Sequence, residues 1–168
     1  PSGPSTSVMP EGDTIYRAAR TLRKAIGGKP VRAFRSALPQ LADAALVGTT
    51  VEAVEARGKN LLVRFDDGHT LHTHMMMVGS WHVYRVGEPW QRGADRAFAV
   101  IETDDWLAVC FDAPICKLLR PGERSPQLDA LGPDLLDPGA DLDEALRRLR
   151  QNDELPLGVA IMQQHVVA

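Results

Sequence analysis

Two neighbouring residues near the start of the chain, Pro10 and Glu11, carry groups that can react at an electrophilic carbon. Met9 precedes them and is typical of an initiator, so its removal would leave Pro10 with a free secondary amine. Such an amine has a pKa near ~8, and its unprotonated fraction attacks carbonyl-like carbon. The product would be an iminium, and the Glu11 carboxyl group is close enough in sequence to move protons. The pair predicts a covalent nucleophile with an adjacent acid–base group.

The segment after Pro10 predicts a helix that fixes the direction of both groups. Apolar residues recur at helical spacing, namely Ile15, Ala18, Ala19, Leu22 and Ile26. Asp13 or Thr14 is expected to cap this helix, and Gly27-Gly28 to end it. Proline and glutamate are also ordinary helix-start residues, so their position alone is compatible with a purely structural role.

Composition excludes several classes of protein. The chain has 168 residues and a formal net charge of -3, so DNA binding would need local basic patches. Cys110 and Cys116 form no CxxC pair, which favours two reduced structural thiols and excludes a zinc finger built from this chain. No apolar run approaches the length needed to span a membrane, and no secretory signal is found.

Short alternating segments separated by turn residues follow the first helix and predict antiparallel strands. The predicted strands cover residues 31–36, 48–57, 60–65, 69–77, 81–85, 97–103 and 106–111. Asp66-Asp67-Gly68 is a hairpin turn signal. The predicted fold class is α+β, with an N-terminal helix packed on an antiparallel β-sandwich and followed by part of a helical domain.

Four regions are expected along the chain. They are a disordered lead or tag with the initiator Met (1–9), a catalytic β-sandwich domain (10–119), a linker (120–138) and an incomplete helical domain (139–168). Two helices are predicted in the last region, over 141–150 and 157–167, and the first should bury Leu142, Ala145, Leu146 and Leu149. An amphipathic helix pair cannot bury its apolar faces alone, so a cut end is expected at Ala168.

Two further groups of residues have types suited to binding. Lys59 follows Gly58 in a tight turn, where an ammonium group can reach a phosphate as a point charge. His72 and His74 share one face of a strand, and Met75 to Val78 follow directly. The methionines are compatible with simple core packing, and the histidines with a metal site.

Four short motifs carry these residues, and their order along the chain is informative. They are Met9-Pro-Glu-Gly-Asp-Thr14, Arg57-Gly-Lys59, His74 followed by Gly79, and Leu131-Gly-Pro-Asp134. In this respect the chain resembles the formamidopyrimidine-DNA glycosylase and endonuclease VIII family, on its endonuclease VIII-like side. The resemblance implies that the last region begins a helix-two-turn-helix domain.

The resemblance also implies roles for individual residues. Pro10 would be the nucleophile, Glu11 the acid, and Lys59 the lysine beside the lesion that base removal requires. His74 would touch a DNA phosphate, while Met77, with Met76 and Val78 as neighbouring candidates, would enter the base stack. Arg35, together with Arg17 and Arg20, is expected to add to the positive DNA-binding surface.

The implied activity is base-excision repair by a DNA glycosylase with abasic-site lyase activity, by β/δ-elimination. Residues 112–117 lack the paired Arg and the Phe wedge of the formamidopyrimidine branch, so oxidised pyrimidines are the expected lesions. The expected partner is double-stranded DNA with damaged bases or abasic sites, and a monomer in the bacterial cytoplasm, active at the nucleoid, is expected. No cofactor is expected in this chain, whereas the intact family member would carry a structural zinc in a C-terminal finger.

Residues 1–9 bear on whether this chain is active. While they are attached, the Pro10 nitrogen is an amide, so the fragment itself is expected to be inactive. Two alternatives remain open at this point. One is a non-catalytic DNA- or protein-binding β-sandwich, and the other is a small metal-binding β-protein that uses His72, His74 and His82.

Overall fold

The computed structural model describes residues 11–135, 137–161, 163 and 165–167. The chain divides into two compact units, the first ending at Leu118 and the second starting at Leu119. The strands of the first unit are β1 (Ala33–Arg35), β2 (Val51–Arg57), β3 (Asn60–Phe65), β4 (Thr70–His74), β5 (Ser80–Arg85), β6 (Ala97–Glu102), β7 (Trp106–Phe111) and β8 (Ile115–Leu119), the last of which crosses the boundary. The α-helices of the described residues are α1 (Glu11–Ile26), α2 (Pro126–Asp129), α3 (Leu142–Arg150) and α4 (Leu157–Ile161).

Helix α1 buries one face, as its apolar spacing predicts. Ile15, Ala19, Leu22 and Ile26 are all buried. The predicted cap at Asp13 or Thr14 is wrong, because the helix already includes Glu11. Asp13 instead lies in the first turns, where its carboxylate pairs with Arg17 at 2.9 Å. The predicted end is confirmed, since Gly28 has a φ of 70°, a left-handed conformation that glycine adopts without strain.

The strands of the first unit form two sheets with antiparallel strand pairs, and both sheets share one core with α1. In the described part of the chain, one sheet has the order β1-β6-β7-β5 and the other β2-β3-β4-β8. Buried side chains from α1 and both sheets form one cluster, which includes Leu22, Val63, Leu71 and Ile101. A second cluster lies around Tyr84 and Phe111. The helix-plus-sandwich prediction of the α+β class is therefore confirmed.

Two strand predictions need correction. Residues 69–77 were expected to form one strand, but β4 ends at His74 and a turn follows. Strand β8 is not among the predicted strands, because residues 112–117 correspond by resemblance to a loop of the formamidopyrimidine branch. Cys116 is nevertheless buried while Lys117 is exposed, so the alternation of a strand is present.

The second unit contains the remaining helices. Within the predicted linker, Pro126–Asp129 forms α2, and Leu128 and Leu131 are buried. Helix α3 begins after Asp141, whose Oδ1 accepts a hydrogen bond from the Glu144 amide at 2.9 Å.

The predicted inner face of α3 is only partly right. Ala145 is buried and Leu149 packs beside it, but Leu142 and Leu146 are exposed because only one of the two apolar rows meets the rest of this unit. Helix α4 ends at Ile161, well before the predicted residue 167. Across the described residues, no helix combines the length and the apolar character needed to cross a bilayer.

Candidate nucleic-acid interface

The direction of α1 brings its first turn toward one end of the β2–β3 hairpin. After the helix, the Gly28 amide donates to the Val51 carbonyl at 2.8 Å, at the start of β2. One turn earlier in the helix, Arg23 Nε donates to the Val54 carbonyl at 3.1 Å. Earlier helix residues therefore lie beside later residues of β2. The helix runs on for about 18 Å from Arg23 to its first residue, whereas β2 needs only about 10 Å from Val54 to Arg57. The N-terminal end of α1 is thus on the side of the sandwich where β2 turns into β3.

Lys59 occupies the turn between β2 and β3. Gly58 has a φ of 57°, so the tight turn places a glycine where other residues would be strained. The next residue, Asn60, is only 3% exposed although it is polar. Its Nδ2 donates to the Arg57 carbonyl at 3.2 Å, which ties the two ends of the turn together. Lys59 therefore sits on a turn with a defined backbone and a buried anchor.

His74 lies opposite Asn60 at the end of β4. The two residues are cross-strand partners in the β3–β4 ladder, so the Lys59 turn and the end of β4 leave the sheet on the same side. His72, two residues earlier, is fully buried, and its Nε2 is 2.7 Å from Asn60 Oδ1. Burial lowers the pKa of His72 to about 4, and the positive charges of Lys117 and His74 act in the same direction.

The turn between β4 and β5 presents apolar side chains to solvent. Met75 is buried in the core, but Met76, Met77 and Val78 are 53%, 84% and 60% exposed. Met76 has a φ of 47°, a left-handed conformation that is uncommon for a residue with a side chain. The Gly79 amide closes the turn by donating to the Met75 carbonyl at 2.8 Å. Core packing, the simpler alternative, is thus right for Met75 alone.

The connection between β7 and β8 packs against the β4–β5 turn at Gly79. A Cβ placed on Gly79 would come within 2.9 Å of Ala113 Cα and of Met75 Cα and O, so only glycine fits there. The preceding residue, Asp112, is held by Arg92 at 2.9 Å and Arg96 at 2.7 Å. These guanidinium groups hold the pKa of the Asp112 carboxyl below its usual range.

Three of the predicted site features therefore meet at one end of the sandwich. The first residue of β3 and the last residue of β4 are paired, so both strands end on the same side of the sheet. Lys59, His74 and the exposed tip formed by Met76 to Val78 all lie at that end. Cations can bind phosphates, and exposed apolar side chains can fill a gap in a base stack. This combination suits a nucleic acid better than a small-molecule pocket.

Other predicted site residues are elsewhere or outside the description. Pro10 lies outside the described residues, and Glu11 is the first residue of α1, with a side chain that is not described. Arg35 is on β1, at the opposite edge of its sheet from β5, and pairs with Glu102 at 2.8 Å. The structure therefore does not bring Arg35 together with Lys59 and His74.

The metal-site alternative gains no support from the placement of the histidines. His82 is on β5 in the other sheet, where its ring contacts Tyr84 and Phe111. Among the described residues, no three His, Cys, Asp or Glu side chains are grouped so that they could hold a metal ion. Cys110 and Cys116 are buried among the apolar side chains of the sandwich core.

Asn60, Lys117 and Asp112 are the residues of this region that the sequence analysis missed. Asn60 had a usable signal, because a lone amide at the start of the apolar run Asn60–Phe65 is expected to be buried with a partner. Lys117 and Asp112 gave no such signal, since their places depend on β8, which was not predicted.

The protein is thus an α+β protein in which a helix packs on a sandwich of two sheets, with a basic turn and an apolar turn at one end. The chain belongs to the family described as the formamidopyrimidine-DNA glycosylase N-terminal domain, whose family model matches residues 9–114. The fold resembles that of Lactococcus lactis formamidopyrimidine-DNA glycosylase bound to DNA with an abasic site, with a TM-score of 0.71 at 20% identity, over 94% of this chain and 62% of that one.

Bacterial relatives are more similar in sequence. A probable endonuclease 8 2 of Streptomyces coelicolor is 39% identical over 95% of this chain and 58% of its own length. The DNA-(apurinic or apyrimidinic site) lyase Nei2 of Mycolicibacterium smegmatis is 34% identical over 95% of this chain and 62% of its length. Endonuclease 8 of Shigella flexneri is 41% identical over 77% of this chain and 51% of its length. The chain thus spans about half to three fifths of these relatives.

Proposed function

We propose that the protein containing this chain is a base-excision repair DNA glycosylase with abasic-site lyase activity. The observation that carries the proposal is the shared edge of the sandwich where Lys59, His74 and the tip at Met76 to Val78 emerge together. The direction of α1 toward the same side supports it, because Glu11 is the first residue of that helix and Pro10 precedes Glu11 in the sequence. The names of the relatives, endonuclease 8 and abasic-site lyase, agree with this activity.

The proposed chemistry starts once Pro10 is the first residue. Its neutral amine attacks C1′ of the damaged nucleotide, so that an N–C1′ bond forms while the bond from C1′ to the base breaks, and the base leaves with the proton that the amine loses. Glu11 donates a proton to the sugar ring oxygen, and the opened sugar becomes an iminium. Glu11, now a carboxylate, accepts a C2′ proton as the 3′ phosphate is expelled, and loss of a C4′ proton to water in a second elimination expels the 5′ phosphate. Water hydrolyses the remaining iminium and restores the amine.

The described residues would hold the DNA in place for these steps. Lys59 and His74 bind backbone phosphates beside the lesion, which makes binding weaken as salt rises. Met77, the most exposed residue of its turn, enters the space that the extruded nucleotide leaves. Extrusion costs a few kcal/mol of unstacking, and a flexible apolar side chain lowers that cost.

We also propose the substrate range, partner and setting of the reaction. Residues 112–117 read Asp-Ala-Pro-Ile-Cys-Lys and hold neither an Arg nor a Phe, which favours oxidised pyrimidines over oxidised purines. The partner is double-stranded DNA with damaged bases or abasic sites, and the protein acts as a monomer on DNA in the bacterial cytoplasm. A structural zinc would belong to a C-terminal finger outside the described residues.

Borohydride trapping on DNA with an abasic site tests the proposal. The complete gene product with Pro10 as its first residue should give a covalent adduct, and its Pro10→Ala variant should give none. The 168-residue chain that begins at Pro1 should also give none, because its Pro10 nitrogen is an amide. If the processed protein and Pro10→Ala behave alike, the enzyme proposal is wrong, and binding without an adduct would favour the non-catalytic DNA-binding alternative.

A further inference from the structure

The buried side chains of Asn60 and His72, next to the Lys59 turn, are joined by a hydrogen bond and linked to the Arg57 carbonyl. Asn60 is the first residue of β3 and its polar side chain is buried. His72 lies diagonally across from it on β4. The pair Asn60 Oδ1 and His72 Nε2 is 2.7 Å apart, while Asn60 Nδ2 reaches the Arg57 carbonyl at 3.2 Å. One amide therefore connects the start of the turn, the start of β3 and the middle of β4.

The polarity of this chain is fixed by chemistry. An Nδ2 group only donates and an amide oxygen only accepts, so His72 must carry its proton on Nε2 and donate it to Asn60. The neutral imidazole supplies that single proton, because burial disfavours the imidazolium of His72 and the electrostatic effects of Lys117 and His74 act in the same direction. The bond is then directional, buried and present throughout the neutral pH range.

We infer that Asn60 is a positioning residue, which fastens the turn of Lys59 to the strand that carries His74. Asn60 follows Lys59 in sequence and is the cross-strand partner of His74, and its two side-chain hydrogen bonds hold the Lys59 turn against that strand. This inference rests on the proposed function. Its physical basis is that a displacement of about 1 Å in a catalytic group can reduce a rate by about 10²-fold, which makes a rigid turn valuable.

A double-mutant cycle tests this role on the complete gene product processed to Pro10. The measured quantity is the single-turnover rate of base excision from duplex DNA that contains an oxidised pyrimidine, at a temperature where every variant is folded. Asn60→Leu keeps a similar volume but makes no hydrogen bond, and about a tenfold slower rate is expected with a less than threefold change in DNA affinity. In a Lys59→Met background, the same change should have no further effect, because Asn60 acts through Lys59.

Thr73→Val is the matched control. Thr73 is also a buried polar residue. Its Oγ1 accepts a hydrogen bond from Trp81 Nε1 at 3.0 Å and donates one to the Leu61 carbonyl of β3 at 3.3 Å, so it binds the strand after the Lys59 turn and not Arg57 at the start of that turn. Its effect on the rate, whatever its size, should be the same with Lys59 and with Met at position 59. If Asn60→Leu also slows both backgrounds by the same factor, Asn60 is structural only and the inference is wrong.

Two other results of this experiment have a defined meaning, namely an unfolded variant and an unreactive wild-type protein. If Asn60→Leu does not fold, Asn60→Ser keeps a hydroxyl group that is too short to reach both partners, and the same cycle is measured with it. If the wild-type protein forms no adduct with abasic DNA, the proposed function fails and the inference fails with it. A wild-type protein that reacts, together with multiplicative losses, overturns the positioning role alone.

Discussion

Two turns leave the same end of the sandwich, and they are built in opposite ways. The β2–β3 turn carries a cation, has a glycine in the left-handed conformation, and rests on the buried amide of Asn60. The β4–β5 turn carries apolar side chains, places Met76 in the left-handed conformation, and is closed at its base by the hydrogen bond from the Gly79 amide to the Met75 carbonyl.

The difference follows from what each turn presents. Hydrogen bonds are directional, so a charge that must meet one phosphate gains from a hydrogen-bonded anchor. An apolar filler must instead adapt to a gap of variable shape, and a methionine on an otherwise free tip can do so. The comparison therefore predicts that changes to the first turn act through geometry, whereas changes at the tip of the second act through the side chain itself.

The largest expected effect concerns pH and the anchor of the first turn. His72 has a pKa of about 4 in the folded protein, against an ordinary value of 6.5. Above pH 6.5 the residue is neutral in both states and its full contribution is present. As pH falls, the unfolded chain takes up the proton first, so stability is lost until about pH 4, by roughly 3 kcal/mol in total.

Urea unfolding between pH 6.5 and 5 measures this loss, which should reach about 2 kcal/mol in that window. The control is His72→Gln, whose amide can still donate to Asn60 but does not titrate. The variant should show a much smaller decline, and the lowered pKa of His82 contributes equally to both proteins. Equal slopes in the two proteins would contradict the neutral, buried state of His72.

The next effect is steric and concerns the base of the second turn. Gly79→Ala places a Cβ within 2.9 Å of backbone atoms of Met75 and Ala113, so the backbone must move, and a loss of about 2 kcal/mol is expected. Gly87→Ala is the control in the same unit, because its Cβ meets nothing within 4 Å although φ is 88°. It should lose about 1 kcal/mol, from backbone strain alone. A larger loss at Gly87 than at Gly79 would show that Ala113 does not support the turn.

The sequence predicted the first turn better than the second. Strand β3 was placed at Asn60–Phe65 and the Asp66-Asp67-Gly68 hairpin was recognised, because alternation and turn residues are local signals. The residue pattern alone does not show the exposure of Met76 to Val78, since an apolar run after a strand looks like more strand, and only the family resemblance implies it. It depends on the approach of Gly79 to Ala113, a contact between residues far apart in sequence. The burial of His72 likewise depends on its neighbours in three dimensions, Asn60 and Lys117.

A smaller effect, on activity alone, is expected at the tip of the second turn. Met77→Ala should change the free energy of unfolding by less than about 0.5 kcal/mol, because the side chain is 84% exposed. The single-turnover rate of base excision should fall about tenfold, equivalent to about 1.4 kcal/mol, since the gap in the stack is no longer filled. Val47→Ala, an exposed apolar residue outside this turn, should alter neither quantity. An unchanged rate for Met77→Ala would remove Met77 from the stacking role.

The smallest effect separates strain from side-chain loss at the same tip. Met76 has a φ of 47°, which costs a residue with a Cβ about 1–2 kcal/mol, and glycine would be free of that strain. Glycine also gives the unfolded chain more freedom, which offsets about 0.4–1 kcal/mol of the gain. Met76→Gly is therefore expected to stabilise the protein by up to about 1 kcal/mol in urea unfolding. Met77→Gly shortens a neighbouring exposed methionine without that relief, and should destabilise by up to about 1 kcal/mol. If the two variants shift equally, the left-handed backbone at Met76 stores no energy, and the two turns differ in their exposed side chains alone.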